Sequence, residues 1–300
     1  MFRANKRAKN IKGWHSITSP SKSLIMKSYA KINLYLDVHE KLSTGYHSIT
    51  SLFSEIELFD ILKFHLTEKA DLKISSDYKN LENQDNLIYK IAIYLQTKWC
   101  VDYGALIYLK KNIPIAAGLG GGSSNAATTI KALSYLWKLN LSKEEMHDIA
   151  AKFGSDINFF IDGYQAIGKN RGEIIKPVES EIYIDNILLV NPNFPISSKE
   201  AYELVSLGNP EYKDNLQMLL EYKKPEYCYN KLEYGISQKY QIIKDTLTIL
   251  YENGAEKAML SGSGPTMIGF FENVEDLKKT QNIFNKKNFW NYNTRTRRRY

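Results

Sequence analysis

The feature that most constrains this chain is a glycine-rich loop at residues 114–124, which runs directly into a helical pattern. Four of the five residues from Gly118 to Gly122 are glycine, and glycine adopts backbone conformations that a side chain forbids. Small and apolar residues then recur at helical spacing, namely Ala126, Ala127, Ile130, Leu133 and Trp137. The pattern predicts a helix over residues 124–138, with Ser123 or Ser124 as its N-cap.

This loop and helix together predict an anion-binding site. A helix N-terminus presents unpaired N–H groups and partial positive charge, and the bare amides of a glycine loop add further donors. The loop lacks the Gly-Lys-Ser/Thr ending of a P-loop and the downstream acidic residue of a dinucleotide-binding fold. We therefore expect a phosphate group here, against the alternative of a flexible turn before a helix.

Strand patterns lie on both sides of the loop. Residues 27–38 alternate, with Lys31 and Asn33 on the face opposite Ile32 and its apolar neighbours. A turn at 43–45 is expected to lead Tyr46 and His47 into a return strand. Further predicted elements are strands over 51–66, 105–109 and 187–190, helices over 87–99 and about 239–252, a helix from Ser142 to Gly154 with a capping box to Glu145, and a loop at Ser261–Pro265 between two strands.

These elements predict an α+β fold of two units with the active cleft between them. The predicted divisions are a disordered basic extension at 1–25, an N-terminal domain at 26–167, a C-terminal domain at 168–290 and a basic tail at 291–300. Residues 207–235 match no pattern that places them.

Positive charge is concentrated at the two ends of the chain. Residues 1–23 hold six basic residues and no acidic residue, and four arginines lie within 295–300. Because the net charge is +7, the rest of the chain carries −3. We therefore expect solvated, disordered ends rather than a nucleic-acid-binding surface. A targeting peptide at the N-terminus and a weak polyanion contact are the alternatives.

The two cysteines, Cys100 and Cys228, form no metal-binding or redox motif. They fit a reduced, cytoplasmic setting or simply two buried thiols. Since no run of about 18 apolar residues occurs, no transmembrane helix is expected.

Several motifs occur in the same order as in the GHMP kinase superfamily and are similar to its motifs. This superfamily comprises small-molecule kinases and includes galactokinase, homoserine kinase and mevalonate kinase. Within it, the chain most resembles the 4-diphosphocytidyl-2-C-methyl-D-erythritol kinase family of the non-mevalonate isoprenoid pathway, over residues 26–272. The segments that carry this resemblance are Ala30–Leu34, Gly45–His47, Asp85–Ile88, Gly120–Ala127 and Gly154–Asp156. Ser155 is a departure, because the family often has alanine there.

The resemblance implies a two-domain GHMP kinase fold, ATP as phosphoryl donor, and Mg²⁺ held mainly through the ATP phosphates rather than by protein ligands. The residues implied to bind ATP are Pro114, Ile115, Ala116, Ala117, Gly118, Leu119, Gly120, Gly121, Gly122, Ser123 and Ser124, with Asn86 near the adenine.

The resemblance also implies catalytic roles for Lys31 and Asp156. Without it, Asp156 is typical of a helix cap and Lys31 of a solvated strand face. Asn33, Tyr46 and His47 are implied to bind the acceptor, with Tyr202 as a second aromatic residue beside the cytosine.

The implied reaction is phosphorylation of the 2-hydroxyl of the cytidyl-linked substrate, by a cytoplasmic monomer or weak homodimer that binds neither nucleic acid nor membrane. The alternatives are another acceptor (homoserine, a mevalonate-type compound or a sugar) and a nucleic-acid-binding protein acting through its basic ends. The kinase interpretation predicts that removal of 1–23 and 295–300 leaves activity nearly intact.

Overall fold

A computed structural model describes residues 22–43, 45–205 and 215–299. The strands are β1 Ser23–Lys41, β2 His47–Thr67, β3 Leu72–Ser76, β4 Gly104–Lys110, β5 Gln165–Asn170, β6 Ile174–Pro177, β7 Ile187–Asn191, β8 Tyr229–Asn230, β9 Ala255–Leu260, β10 Met267–Phe271 and β11 Trp290–Thr294. The helices are α1 Leu87–Lys98, α2 Gly121–Leu136, α3 Lys143–Phe153, α4 Ile157–Asp162, α5 Ser198–Glu203, α6 Asn215–Tyr222, α7 Glu233–Lys239, α8 Gln241–Glu252 and α9 Val274–Lys286. Most of the predicted N-terminal extension, Thr44 of the predicted turn and part of the unplaced 207–235 stretch lie outside the described residues.

Two sheets form the framework. In the larger sheet the order is β3-β4-β2-β1-β8, and β5 pairs with β2 and β6. The long β2 pairs with β5 along its first part and with β4 along its last part, while β1 runs antiparallel beside it. In the smaller sheet the order is β11-β7-β10-β9.

The two sheets share a hydrophobic core. Ile32 and Leu34 of β1 lie in one buried cluster with Leu189 of β7 and Ile268 of β10. A second cluster packs α1 to α4 against the larger sheet, and a third packs α8 and α9 against the smaller sheet. Burial of this apolar surface is the main favourable term for folding, so the shared cluster fixes the sheets relative to each other.

Most predicted elements are confirmed because local chemistry specifies them. The helix α3 begins at the N-cap Ser142, whose side chain accepts from Glu145 N while the Glu145 carboxylate accepts from Ser142 N. Gly154 ends it, and the loop from Ser261 joins the antiparallel strands β9 and β10. Of the two thiols, Cys228 is buried, which raises its pKa to about 12, but Cys100 is exposed.

The predicted N-cap of the loop helix is wrong. Helix α2 begins at Gly121, and its N-cap is Gly120, with φ 68° and ψ 15°. Ser123 and Ser124 therefore lie inside the first turn. The chain enters this helix in the left-handed region, which glycine tolerates and a serine would occupy only with strain.

The prediction of a solvated C-terminal tail is also wrong for residues 291–299. Strand β11 pairs with β7 of the smaller sheet, and Thr296 then bridges Ile56 of β2 in the larger sheet. The amide of Arg297 donates to Glu55 O at 2.9 Å. This segment therefore joins both sheets, so removal of 295–300 would take away part of the fold.

The predicted domain division at residue 168 stays a prediction, but sheet membership bears on it. Residue 168 lies within β5, which pairs with β2 and β6 in the larger sheet. By strand pairing, the chain therefore stays in the larger sheet as far as Pro177 and returns to it at β8. In the part of the chain that the structure describes, no helix has the length and apolar character to cross a membrane.

Candidate active site

Three of the predicted site residues meet beside strand β1. The ammonium Nζ of Lys31 lies 2.8 Å from Asn33 Oδ1 and 3.7 Å from Asp156 Oδ2. The Lys31 side chain is 7% exposed and that of Asp156 is 39% exposed. The lysine is therefore a buried partner of a carboxylate that solvent and ligands can reach, and its reading as a solvated residue is wrong.

The strand next to Asn33 fixes the direction of its amide. Asn33 Nδ2 donates to Ser51 Oγ at 2.7 Å, and Ser51 Oγ donates to Tyr35 O at 2.7 Å. With its N–H group engaged on β2, Asn33 turns its carbonyl oxygen toward Lys31. An orienting network of this kind holds the lysine in one position.

The environment of Asp156 differs from that of a capping residue. It occupies the N-cap position of α4, but its side chain makes no capping hydrogen bond. Because the carboxylate is turned toward Lys31 instead, its oxygens remain accessible to a ligand. Such a group, held beside a cation and partly open to solvent, is suited to accept a proton.

The glycine loop is tied to the same strand. Lys31 N donates to Leu119 O at 2.9 Å. Helix α2 starts with Gly121, and its first hydrogen bond from this end runs from Ser124 N to Gly120 O. The amides of residues 121–123 thus precede the ladder of helix hydrogen bonds, and they lie at the positive end of a 16-residue helix.

Two glycines of this loop differ in what surrounds them. A Cβ on Gly120 would lie 2.9 Å from Lys31 Cγ and 2.9 Å from Phe160 Cζ, whereas a Cβ on Gly122 would meet nothing within 4 Å. We therefore expect Gly120→Ala to lower the free energy of unfolding by about 2 kcal/mol. Gly122→Ala should leave it unchanged or raise it, because alanine suits a helix better.

The variant Gly122→Ala tests whether the loop binds the phosphates of ATP. A methyl group at Gly122 would enter open space on the loop to which the phosphates are assigned. If it displaces a phosphate oxygen from one loop amide, the loss of that charge-assisted hydrogen bond should raise the KM for ATP about tenfold. Urea unfolding and ATP titration of both variants check this pair. An unchanged KM for ATP in Gly122→Ala would contradict the phosphate role of the loop.

A buried hydrogen-bond network, which sequence reasoning missed, connects strand β2 to both ends of the loop. The carboxylate of Asp60, fully buried in β2, accepts from the amides of Asn112 and Ile113 and from Asn125 Nδ2 of α2. It also pairs with Lys111 Nζ at 2.6 Å. Burial lowers the pKa of the Lys111 ammonium, and Asp60 acts in the opposite direction. The only sequence signal was an acidic residue within an apolar strand, which requires a buried partner.

The loop between β9 and β10 lies next to Lys31 and Asn33. A Cβ on Gly262 would lie 3.2 Å from Asn33 Oδ1 and 3.7 Å from Lys31 Nζ. Asn230, from the unplaced stretch, donates through Nδ2 to Leu260 O and Gly262 O at 2.8 Å each. The C-terminal half thus closes one side of the site, which no local pattern indicated.

The predicted aromatic residues also come together. The rings of His47 and Tyr202 stack with centroids 5.4 Å apart and planes 12° apart. Tyr46 is 60% exposed, and the guanidinium of Arg171 lies 5.2 Å from its ring centroid. Burial, and after it the charge of Asp156, raises the pKa of Tyr202 to about 12. Of the three aromatic residues, Tyr202 is therefore within electrostatic reach of Asp156.

Comparison with known proteins identifies the family of this chain. The family model for the GHMP kinases N terminal domain matches residues 86–164, and that for GHMP kinases C terminal matches residues 229–289. A 4-diphosphocytidyl-2-C-methyl-D-erythritol kinase of Thermoanaerobacter pseudethanolicus is 41% identical over 86% of this chain and 91% of its own length. The chain belongs to this kinase family.

Further comparisons support the same family and fold. The kinase of the same name from Clostridioides difficile is 36% identical over 84% of this chain and 88% of its own length. A crystal structure of 4-(cytidine 5'-diphospho)-2C-methyl-D-erythritol kinase superposes with TM-score 0.77 at 25% identity, covering 92% of this chain and all of that one. A homoserine kinase from Cytophaga hutchinsonii, at 14% identity, shares the fold with TM-score 0.70 over 94% of this chain and 97% of its own.

In this kinase, Asn86 has a structural role in addition to its predicted one. Its Oδ1 accepts from Ile88 N at 3.0 Å, and its Nδ2 donates to Leu81 O at 2.8 Å, so it is the N-cap of α1. Both ends of the amide are thus engaged, and its contact with adenine stays a prediction.

Proposed function

We propose that this kinase transfers the γ-phosphoryl group of ATP to the 2-hydroxyl of 4-diphosphocytidyl-2-C-methyl-D-erythritol, a step in making isoprenoid precursors. The observation that carries the proposal is the aromatic set of Tyr46, His47 and Tyr202, which the turn of Arg171 and Gly172 connects to Asp156. It offers a place for a pyrimidine base and a place for a reacting hydroxyl within one cleft.

The aromatic set suits a cytosine ring. Tyr46 is largely exposed, and aromatic faces stack on bases. Burial, together with the charge of Lys41, lowers the pKa of His47 below its ordinary value. The imidazole is therefore neutral at pH 7, with one nitrogen to donate and one to accept, as a base edge requires. Homoserine, mevalonate and simple sugars carry no base for these residues to hold.

The reaction is assigned to the Lys31–Asp156 pair. The acceptor hydroxyl oxygen forms a bond to the γ-phosphorus, the bond from that phosphorus to the β-phosphate oxygen breaks, and ADP leaves. The carboxylate of Asp156 accepts the hydroxyl proton. The charge of Lys31, 3.7 Å from Asp156 Oδ2, holds this carboxylate in place and stabilises the negative charge that develops on the transferring group.

The glycine loop is assigned to the ATP phosphates, which its amides at residues 121–123 can bind. In the described ranges, no group of three or more His, Cys, Asp or Glu side chains is arranged to hold a metal ion. Mg²⁺ is part of the proposal, with most of its ligands coming from phosphate oxygens and water. Bound there, it neutralises charge on the phosphates.

An assay of ADP release with a panel of acceptors tests the proposal. With magnesium and ATP, we expect turnover of 4-diphosphocytidyl-2-C-methyl-D-erythritol and no comparable turnover of homoserine, mevalonate or galactose. Cytidine nucleotides should compete with the acceptor and not with ATP. A folded protein that phosphorylates one of the other acceptors equally well would contradict the proposal.

A further inference from the structure

The hairpin turn between β5 and β6 lies beside the candidate active site at two points. The guanidinium of Arg171 is 5.2 Å from the ring centroid of Tyr46. The next residue, Gly172, has φ +98°, and a Cβ there would lie 3.9 Å from Asp156 Oδ1. This turn therefore extends from the exposed aromatic residue to the carboxylate.

The acceptor in the proposed function, on which this inference rests, has three parts in a row. The base is assigned to Tyr46 and His47, and the reacting hydroxyl to Asp156. The diphosphate links these two parts, so it must cross the gap between them. Its negative charges need cationic or N–H partners there. Lys31 is not free to supply one, because it is buried against Asn33 and Asp156.

We propose that Arg171 binds the diphosphate of the acceptor and is a specificity-determining residue of this kinase. A guanidinium presents paired N–H groups that match phosphate oxygens, and it can lie against an aromatic face at the same time. Arg171 would thus favour acceptors that carry a nucleoside diphosphate over acceptors that lack the charged link.

Glu173 holds this arginine in place. Its carboxylate accepts from Arg171 N at 2.9 Å, from Arg171 Nε at 3.5 Å and from Asn170 Nδ2 at 2.7 Å. Among the described residues, these contacts engage the backbone and Nε of Arg171 and not its two Nη groups. The side chain is 36% exposed. The turn therefore presents a pre-oriented guanidinium whose outer edge can meet a ligand, which lowers the entropic cost of binding.

The inference is tested with Arg171→Gln. We expect the KM for the cytidyl acceptor to rise roughly 10-fold to 100-fold, as the loss of a hydrogen-bonded charge implies, while kcat and the KM for ATP change less than twofold. Arg171→Lys should recover part of the loss, because it keeps the charge without the paired geometry. Lys176→Gln, which removes a charge from the exposed part of β6 in the same hairpin, is the matched control and should match the parent.

Binding of CDP and of cytidine, measured by calorimetry, separates phosphate binding from simple support of Tyr46. If Arg171 binds the diphosphate, the preference for CDP over cytidine falls in Arg171→Gln by the same factor as the acceptor KM rises. Equal weakening of CDP and cytidine, or no change in either, would overturn the inference. Failure of the parent protein to phosphorylate the acceptor would instead refute the proposed function, and the CDP-to-cytidine ratio would still decide the role of Arg171.

Discussion

Asp156→Asn is expected to lower kcat by about 100-fold to 10,000-fold, the range that a general base contributes. Asparagine has nearly the same shape but cannot take up the hydroxyl proton. The side chain of Asp156 is 39% exposed and makes no capping hydrogen bond to α4, so this substitution should leave the fold intact. The affinity for ATP should stay within about threefold, because the phosphates are assigned to the loop amides.

Steady-state kinetics, ATP titration and thermal unfolding of Asp156→Asn check this prediction. Asp148→Asn, an exposed carboxylate on α3, is the matched control and should have parent kinetics. Lys31→Met should also lower kcat strongly, and the double variant should be little worse than either single one, because the two residues act as a unit. If Asp156→Asn kept its kcat within fivefold of the parent, the assignment of the base would be wrong.

Arg297 of the C-terminal segment forms a buried ion pair that we expect to stabilise the fold strongly. Its Nη1 lies 2.6 Å from Glu55 Oε2, with the Glu55 side chain 5% exposed, and its guanidinium lies 3.9 Å from the ring centroid of Tyr29. Burial alone would lower the pKa of this guanidinium, but Glu55, with smaller effects of Tyr29 and Tyr164, offsets burial and the pKa is raised. Removing one partner of a buried pair leaves an uncompensated charge, so we expect Arg297→Gln to lower the free energy of unfolding by about 3 to 5 kcal/mol.

Urea and thermal unfolding check this, with Arg298→Gln as the control. Arg298 pairs with Asp185 at 2.8 Å, but both side chains are about half exposed, so its loss should cost under about 1 kcal/mol. Combining Arg297→Gln with Glu55→Gln should recover part of the loss, which a double-mutant cycle measures. Equal stability of the Arg297 and Arg298 variants would show that the C-terminal segment does not stabilise the fold through this pair.

The position of Glu55 connects this stability to the site. In the β1–β2 pairing, Glu55 is the residue directly opposite Lys31. Its Oε2 also accepts from Tyr164 N at 2.8 Å. The C-terminal segment therefore contacts β2 directly opposite Lys31, and we expect deletion of residues 295–300 to lower stability rather than leave the enzyme unchanged.

What could be predicted from the sequence depends on interactions between near neighbours. The capping box of Ser142 and Glu145 joins residues three positions apart, and the contact between Lys31 and Asn33 follows from the two-residue period of a strand. The glycine loop and its helix are likewise local. The family motifs extend this to the fold class and to the identity of the candidate site residues.

Only the tertiary structure decided what surrounds those residues. Glu55 and Arg297 are separated by 242 positions, and Asn230 reaches Gly262 across 32 positions. Nothing in the neighbouring sequence specifies such pairs, since they form only when the sheets share one core. The charge of the arginine-rich end predicted that it would be solvated. The distant residue Glu55, which is buried, instead makes Arg297 part of the interior. The sequence by itself determined the loop, the helix behind it and the strand of Lys31, while the packing of distant elements determined which charges are paired and which remain open to a ligand.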